Sequence, residues 1–416
     1  MYKVLLKAPA LSRSGYGEHS RFVLRSLMKA QDVFDIYLVN LNWGNTGWTP
    51  EDNEERRMID YLINKTVHAV NNKVAFDISL QVTIPNEWEK IAKINIGITA
   101  GIESNMISPT WVHKTEETVD KVIVTSEHAK TGFLSTVCTV QGPNGEVIRN
   151  DFKCTKPIEV VGYPAKGLKP EPIDLELEYD FNFLSVAQWS PRKNLENTVR
   201  WFVEEFINDE VGLVVKSNVA KNCIYDKYKC ESKLASVLQE YPNRKCKVYL
   251  LHGGLEDEQI HGLYKNDKIK ALVSLSHGEG FGLPLFEAAQ AGLPVIAPDW
   301  SGHVDFLYMP ITDKKGKTKN KAMFSKVDYQ LARVQPEAVW DGVIEKETSW
   351  CYPYPASYKN KLRDLYKDEP RFKKRASGLS KWIAEEFEEE KVYQRMIDAI
   401  LDAVPQEQEE NIKVFG

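Results

Sequence analysis

Short β-branched runs alternate with amphipathic stretches along most of this 416-residue chain. This alternation is typical of βαβ units, in which parallel strands form a sheet and the connecting helices cover it. Domains contain roughly 100–200 residues, so the length predicts two of them. The pattern therefore predicts an α/β fold with two Rossmann-like, doubly wound domains.

Each half of the chain is predicted to supply one sheet. The predicted strands lie near residues 2–8, 34–39, 74–80, 94–98, 121–125 and 157–161, and then near 181–187, 211–216, 246–251, 270–276 and 293–297. The predicted helices lie near 18–30, 51–63 and 127–137, and then near 195–208, 228–240, 256–265 and 284–291.

A segment with three prolines and two glycines, residues 162–180, marks the boundary between the halves because this composition favours extended linker. Apolar residues recur at helical spacing through 380–403, and the Gln- and Glu-rich tail after Pro405 is expected to fray. The predicted parts are an N-terminal domain (1–165), a linker (166–180), a C-terminal domain (181–380) and a C-terminal helix packing back toward the first domain (381–416).

Composition excludes several classes of protein. The net charge of −5 argues against a surface coated with basic residues for bulk nucleic-acid binding. The six cysteines form no C-x-x-C pair, so free thiols in a reducing compartment are expected. The start is too charged for a signal peptide, and no apolar run approaches the ~20 residues of a membrane span. We therefore expect a cytoplasmic protein with no stable membrane insertion.

The segment with the clearest chemistry runs from a strand ending near Ser276 into Glu279-Gly-Phe-Gly-Leu-Pro-Leu-Phe-Glu287. Proline favours the start of a helix, so the amides of Phe281, Gly282 and Leu283 are expected to gather at a helix N-terminus. Such a terminus binds phosphate or a sugar hydroxyl, and glycine allows close approach of the backbone. Glu279 in the loop and Glu287 in the first helical turn are predicted to face one cleft, where carboxylates hold vicinal diols.

This segment resembles the E-x7-E motif of retaining GT-B glycosyltransferases, especially glycosyltransferase family 4. The similarity covers most of residues 181–310, including Ala291-Gly-Leu-Pro-Val-Ile-Ala297 and Ser301-Gly-His-Val-Asp305. It implies two Rossmann-like domains facing a central cleft and a retaining, metal-independent hexosyl- or pentosyltransferase. By the same resemblance, Glu287 binds the ribose of a nucleoside diphosphate sugar, while Glu279 and the amides of Gly280 to Leu283 hold the donor sugar.

Two adjacent cations, Arg192 and Lys193, follow the first strand of the second half, where they can neutralise a diphosphate leaving group. The family has a comparable Arg/Lys segment at this place. It usually has an earlier arginine just after the strand, where this chain has Gln188, so the division of labour between the two cations stays open. Arg192, Lys193 and Glu279 are the predicted catalytic residues.

In the first half, a strand, a loop and a helix start contain Ser14-Gly15-Tyr-Gly17-Glu-His19. The loop resembles the glycine-rich loop that reaches across the GT-B cleft, which places Gly15 and Gly17 among the donor-binding residues. As a dinucleotide fingerprint the segment is poor, because Ser20 occupies the third glycine position and the second strand ends at Asn40. An NAD-dependent enzyme is therefore a minor alternative.

The acceptor side is expected to include Tyr16, His19, Trp43 and Glu103. Glu103 follows a strand, and its segment resembles acceptor-side motifs of some family-4 enzymes. The opening segment, together with Leu41-Asn-Trp-Gly-Asn-Thr-Gly-Trp48, is similar to glycosyltransferases of T-even-type tailed phages. This similarity slightly favours 5-hydroxymethylcytosine in phage DNA as acceptor, with aromatic rings stacking on an extruded base. A cell-surface or exopolysaccharide glycan is the alternative acceptor.

Other classes of function are kept in view. GT-A enzymes hold Mg²⁺ or Mn²⁺ through an Asp-x-Asp after a strand, and the sequence has none so placed, so we expect no metal and no cofactor besides the nucleotide-sugar co-substrate. The chain can also be a non-catalytic nucleotide-sugar-binding protein. A nucleic-acid binder that uses the run Lys314–Lys321 is a third hypothesis, although such a run is more often a solvated hairpin.

Overall fold

The computed structural model describes residues 1–49 and 51–405, and its first half folds around a sheet with helices packed on both faces. The strands are β1 (Tyr2–Ala8), β2 (Ser12–Arg13), β3 (Phe34–Asn40), β4 (Gly47–Trp48), β5 (Ile78–Val82), β6 (Ile94–Thr99), β7 (Lys121–Val124), β8 (Val137–Gln141), β9 (Val147–Lys153) and β10 (Ile158–Val160). The helices are α1 (Gly15–Met28), α2 (Glu54–Asn71), α3 (Pro109–Thr118) and α4 (Glu127–Ser135).

The first sheet has the strand order β10-β7-β6-β5-β1-β3, and every pairing in it is parallel. All five residues of β5 are buried, as expected of a parallel strand with helices on both faces. Helix α3 and the β8–β9 hairpin were not predicted from the sequence. A sequence signal for α3 exists, since Ser108 caps it and Pro109 occupies its first turn.

The second half builds a similar sheet. Its strands are β11 (Asn182–Val186), β12 (Gly212–Lys216), β13 (Lys247–Leu251), β14 (Ile269–Val273), β15 (Val295–Pro298), β16 (Tyr308–Thr312), β17 (Thr318–Ala322), β18 (Ser325–Val327), β19 (Tyr329–Arg333) and β20 (Ser349–Pro353). Its helices are α5 (Leu195–Glu205), α6 (Ile224–Leu238), α7 (Asp257–Lys265), α8 (Leu283–Gln290), α9 (Val304–Leu307), α10 (Pro355–Lys367), α11 (Glu369–Glu386) and α12 (Glu389–Leu401).

The second sheet has the order β13-β12-β11-β14-β15-β18, again with parallel pairing throughout. The chain crosses over at β11, whose neighbours are β12 and β14. In open α/β sheets this switch point is where ligands bind, beyond the carboxyl ends of the strands. The α/β prediction with two Rossmann-like domains is confirmed.

The last helices differ from the single helix predicted over 380–403. The chain breaks between α11 and α12, because the carbonyl of Phe387 accepts a hydrogen bond from the N–H of Ala165 at 2.7 Å. The Phe387 ring packs on Phe286 and Trp382. Beyond the break, α12 returns to the first domain and lies against α1, with Tyr393 beside Phe22. The tail predicted to fray, residues 406–416, lies outside the described residues.

The two domains touch closely at the glycine-rich turn before α8. A methyl group at Gly280 would lie 1.8 Å from the carbonyl oxygen of Ala100, and one at Gly278 would lie 1.9 Å from that of Glu103. The carbonyl of Gly280 also accepts a hydrogen bond from the Ser126 hydroxyl at 2.6 Å. Glycine is therefore needed here so that backbone segments of the two domains can approach each other.

Candidate active site

A cleft of about 490 Å³ opens between the domains at the carboxyl ends of both sheets. The first domain contributes the start of α1 and the loop before it. The second contributes the ends of β11, β12 and β13 and the first turns of α8. Among the lining residues are Arg13, Gly15, Glu18, Lys166, Gln188, Lys193, Lys216, Asn218, Asn222, Asp257, Leu283, Pro284 and Glu287.

The start of α8 is arranged to receive an anion. Gly282 caps the helix with φ of +96°, a left-handed conformation that favours glycine, and Pro284 is the second helical residue. Among residues 1–49 and 51–405, no protein acceptor takes a hydrogen bond from the N–H of Phe281, Gly282 or Leu283. Unpaired N–H groups at a helix N-terminus, together with the helix dipole, favour phosphate.

Gly280 and Phe281, which were predicted to bind the donor, pack into the protein instead of lining the cleft. The backbone of Gly280 packs against Ala100 of the first domain, and the Phe281 ring is buried against Tyr163, Phe286 and Phe306. Neither residue lines the cleft, whereas Leu283 does. The side chain of Phe281 therefore anchors the loop to the core and leaves its N–H group at the helix start.

Glu279 lies beside both predicted cations. The Lys193 ammonium is 2.5 Å from its Oε1 atom and the Arg192 guanidinium is 3.2 Å from its Oε2 atom. Burial by itself would raise the pKa of Glu279, but Lys193 and Arg192 lower it to about 2. The carboxylate is therefore charged at neutral pH, and both of its oxygens are engaged by the two cations. Glu279 does not line the cleft, so the prediction that both glutamates face it is wrong for this residue, which is buried behind Lys193.

Arg192 and Lys193 separate in the structure. Lys193 lines the cleft. Arg192 does not, because its N–H groups donate to the carbonyl of Gly278 at 2.7 Å and to the carboxylates of Glu279 and Glu103. The contact with Glu103, at 2.7 Å, joins the second domain to the first. Arg192 thus holds two carboxylates, and Lys193 is the cation facing the donor side.

Glu287 occupies the second turn of α8, rather than the first turn that the sequence analysis predicted. Its carboxyl group accepts a hydrogen bond from the Tyr264 hydroxyl at 3.1 Å. Burial raises the pKa of Glu287 to about 7, although Lys166 opposes the shift. Near pH 7 Glu287 is therefore partly protonated, whereas Glu279 is ionised.

A charged network beside Glu287 was missed by sequence reasoning. Lys166, in the linker, lies 2.8 Å from Glu18 of α1 and 2.6 Å from Asp257 of α7. Burial would raise the pKa of Glu18, but Lys166, Arg21 and Arg25 lower it to about 2. No local motif distinguishes these residues, since each comes from a different element and only the tertiary fold brings them together.

The predicted acceptor residues lie on the first-domain side. The rings of Tyr16 and Trp43 stand 4.3 Å apart, and the Tyr16 hydroxyl bonds to that of Thr99 at 2.7 Å. Burial raises the pKa of Tyr16 well above its usual value, with a smaller contribution from the nearby carboxylate of Glu103. Tyr16 thus packs on Trp43, and Glu103 pairs with Arg192 at 2.7 Å, but none of the three predicted residues lines the cleft.

His19 is not part of this group. Its side chain is fully buried between Phe22 and Tyr163, and burial lowers its pKa to about 3. The residue lies on the core face of α1, so it does not reach the acceptor side. Gly17 is also internal: a methyl group there would lie 1.8 Å from the carbonyl oxygen of Ser12, and only Gly15 of the two loop glycines lines the cleft.

One group of side chains in the described part of the chain has the spacing of a metal site, namely Asp226, Cys230 and His252. The Asp226 carboxylate accepts hydrogen bonds from the N–H groups of Val219, Ala220 and Lys221 at 2.7–2.8 Å and lies 2.9 Å from the His252 ring. Burial raises the pKa of the Cys230 thiol to about 11, and its Sγ atom lies 3.8 Å from the Asp226 carboxylate. The group fits a structural role in the loop after β12.

The fold and this cleft place the chain in the GT-B structural class, and comparison with solved structures agrees. A glycosyltransferase from Rickettsia africae aligns with a TM-score of 0.59 over 97% of this chain and 98% of its own, at 13% identity. The structure of Anabaena HepE in complex with UDP and glucose aligns with a TM-score of 0.58 over 97% of this chain and 100% of its own, also at 13% identity. Sucrose-phosphate synthase from Thermosynechococcus elongatus aligns with a TM-score of 0.58 over 96% of this chain and 98% of its own, at 14% identity.

Residues 174–309 match the family described as Glycosyl transferases group 1. The serotype-specific mannosyltransferase WbdA of Escherichia coli is 34% identical over 121 residues, which are 28% of this chain and 13% of that protein. The chain therefore spans a small part of the length of its curated relatives. The predicted resemblance to GT-B glycosyltransferases is confirmed, and a phage origin stays a prediction.

None of the helices within residues 1–49 and 51–405 combines the length and the apolar composition needed to cross a bilayer.

Proposed function

We propose that the protein transfers a glycosyl unit from a nucleoside diphosphate sugar to a hydroxyl acceptor, with retention of anomeric configuration. The observation that carries this proposal is the start of α8, where Leu283, whose N–H has no acceptor among the described residues, lines one interdomain cleft together with Lys193 and the carboxyl group of Glu287. A nucleotide sugar offers the matching groups: a diphosphate for the N–H groups and the ammonium, and hydroxyls for the carboxyl group.

Glu287 is the proposed ribose ligand. It lines the cleft one helical turn beyond Leu283, so a ribose can reach it when the diphosphate lies on the start of α8. A protonated carboxyl group both donates and accepts, so at neutral pH it can bond to both oxygens of a diol. UDP is the first nucleotide to test, because HepE was solved with UDP and glucose.

Charge stabilisation is the proposed source of catalysis. The bond from the anomeric carbon to the diphosphate breaks, and the electron pair leaves with the diphosphate. The acceptor hydroxyl oxygen bonds to the anomeric carbon on the same face, and its proton passes to the departing diphosphate oxygen. Lys193 and the N–H groups of α8 lie where they stabilise this developing negative charge. Glu279, kept ionised by Lys193 and Arg192, holds the Lys193 ammonium at the cleft, and its negative charge favours the positive charge that develops on the donor sugar. No metal ion is required by this scheme.

Two acceptor classes are supported by different observations. The aromatic pair of Tyr16 and Trp43, beside Glu103, suits the apolar face of a sugar ring, and the similarity to mannosyltransferase WbdA favours a saccharide. The same rings suit an extruded base, and Trp48, 53% exposed on the adjoining strand β4, extends the aromatic surface. DNA containing 5-hydroxymethylcytosine is therefore the second class.

A single series of incubations tests the proposal. The protein is first screened with UDP, GDP and ADP sugars for a rise in melting temperature, since a ligand that binds only the folded state stabilises it. Each stabilising donor is then incubated with mannose-containing oligosaccharides or with 5-hydroxymethylcytosine DNA, and products are analysed by mass spectrometry and anomeric NMR. Gain of one sugar with the donor's anomeric configuration is expected.

The negative outcomes are distinct. Thermal stabilisation without turnover on any acceptor, under conditions in which a known glycosyltransferase reacts, would favour the non-catalytic nucleotide-sugar-binding protein. A product of inverted configuration would overturn retention while leaving glycosyl transfer in place. Absence of stabilisation by every donor would count against the donor site itself.

A further inference from the structure

The lysine-rich run of the second domain forms a hairpin that stands away from the body of the protein. Strands β16 and β17 pair in an antiparallel register from Tyr308 opposite Ala322 to Thr312 opposite Thr318. Every residue from 310 to 321 is exposed, so neither face of this ribbon packs on the domain. The sequence alone allowed two interpretations of this segment, a solvated hairpin or a contact with nucleic acid.

The tip of the hairpin is ordered by its own hydrogen bonds. The Asp313 carboxylate accepts the N–H groups of Lys315 at 2.8 Å and Lys317 at 3.1 Å, and the Asp313 carbonyl accepts the N–H of Gly316 at 3.0 Å. Gly316 has φ of +79°, which favours glycine at this point of the turn. A two-stranded hairpin is marginal by itself, so these bonds stabilise a projecting tip that gains nothing from core packing.

The charge of the hairpin is strongly one-sided. Lysine occupies positions 314, 315, 317, 319 and 321, and Asp313, whose carboxylate is engaged in the turn, is the acidic residue among them. None of these lysines forms an ion pair with any residue that the structure describes. Lys319 and Lys321 lie two positions apart on one strand and therefore point to the same face. A chain of net charge −5 thus carries a separate cationic ribbon.

We propose that the β16–β17 hairpin is a docking surface for double-stranded nucleic acid, with its lysines on the phosphates. The shape supports this partner, because the major groove, about 12 Å wide, admits a two-stranded β-ribbon. A lipid surface is less suited. Docking to lipid normally places apolar side chains in the bilayer beside basic ones, and the tip residues 313–317 include no apolar side chain. The contact is with the phosphates and is independent of base sequence.

This inference goes beyond the proposed function and does not depend on it. A nucleic-acid contact on the hairpin is a binding property that can be measured without donor, acceptor or turnover. If 5-hydroxymethylcytosine DNA is the acceptor, the hairpin supplies binding energy outside the cleft. If the acceptor is a saccharide, the hairpin contact stands as a separate activity.

The test measures the salt dependence of binding to a short fluorescent duplex by fluorescence anisotropy. The whole protein is compared with the double variant Lys319→Gln/Lys321→Gln and with a matched control, Lys153→Gln/Lys374→Gln. The control removes the same charge from exposed positions on β9 and α11, neither of which forms an ion pair with a described residue. Thermal unfolding of all three proteins confirms that each is folded.

Each phosphate contact contributes about −0.9 to the slope of log K against log salt. Five lysine contacts give a slope of about −4.5, and removal of two reduces its magnitude by about 1.8. Between about 50 and 200 mM salt the wild-type affinity then falls roughly 500-fold and that of the hairpin variant roughly 40-fold. The control is expected to keep the wild-type slope.

Equal slopes for the hairpin variant and the control would overturn the proposal, and so would absence of duplex binding at low salt. Vesicles of anionic and zwitterionic phospholipid are measured in parallel. Binding to the anionic vesicles without binding to the duplex would assign the hairpin to a membrane surface instead, which also overturns the proposal.

Discussion

Arg192 of the second domain lies 2.7 Å from the carboxylate of Glu103 in the first domain, and the same guanidinium lies 3.2 Å from Glu279. Burial opposes the charged form of Arg192, but Glu103 and Glu279 raise its pKa. A single cation thus links the proposed donor and acceptor sides and engages carboxylates from both domains. Its neighbour Lys193 faces the cleft.

This relationship predicts that the two cations have different tasks. Lys193→Gln should weaken UDP binding and lower kcat by roughly 10²–10³-fold, the effect of removing one electrostatic donor to a developing anion. Arg192→Gln should leave UDP affinity close to wild type, because Arg192 does not line the cleft, yet should lower kcat by disturbing Glu279 and Glu103. Calorimetric titration with UDP and steady-state kinetics separate these effects.

Lys227→Gln, an exposed lysine on α6, is the control for the loss of one positive charge. A loss of UDP affinity in Arg192→Gln as large as that in Lys193→Gln would show that both cations bind the diphosphate.

Gly280 is predicted to hold the two domains in contact. A methyl group at this position would lie 1.8 Å from the Ala100 carbonyl oxygen, so Gly280→Ala must displace one domain or the loop. Overpacking of this kind typically costs about 1–3 kcal/mol. We expect a lower free energy of unfolding and a lower kcat, measured by urea denaturation and by transfer assay.

Gly167→Ala is the matched control, since an added methyl group there meets nothing within 4 Å and its backbone needs no left-handed conformation. Comparable losses in both variants would mean that glycine content, rather than the domain contact, determines the effect.

The stability of the protein should depend on pH through Glu287. Burial raises its pKa to about 7, whereas an ordinary glutamate titrates near 4.5. Between these values the folded protein binds more protons than the unfolded chain, so the contribution of this group to stability falls as pH rises from about 4.5 to 7. Glu287→Gln should remove this dependence, on the order of 3 kcal/mol.

The measurement is the difference in unfolding free energy between wild type and Glu287→Gln at a series of pH values. The effect of Glu279 on stability has the opposite pH dependence, because its pKa is lowered to about 2. Its stabilising contribution is present above about pH 4.5 and is lost as the pH falls toward 2. A constant difference between wild type and Glu287→Gln from pH 5 to 8 would contradict the raised pKa of Glu287.

Activity is predicted to persist in excess EDTA. The scheme assigns stabilisation of the leaving diphosphate to Lys193 and the N–H groups at the start of α8, which are built into the chain. The check is the initial rate of transfer before and after chelation, followed by addition of Mn²⁺ or Mg²⁺. Loss of activity that Mn²⁺ restores would reveal a metal requirement that this site does not account for.

The order of strands and helices could be predicted from the sequence because it rests on local physical chemistry. Alternating apolar runs produced two parallel sheets close to the expected bounds, and the strand, glycine turn and proline before Glu287 produced the expected helix start at Leu283. The break at Phe387 could not be predicted, since the helical pattern continues through it and a linker N–H supplies the partner of its carbonyl.

The composition of the site was decided by contacts between residues distant in sequence. Lys166, Glu18 and Asp257 meet only because the linker, α1 and α7 pack together, and Arg192 reaches Glu103 only because the domains close. Helical periodicity placed His19 on α1 but did not identify the face that enters the core. Spacing along the chain sets local geometry, whereas burial and ion pairing depend on which surfaces the folded chain brings into contact.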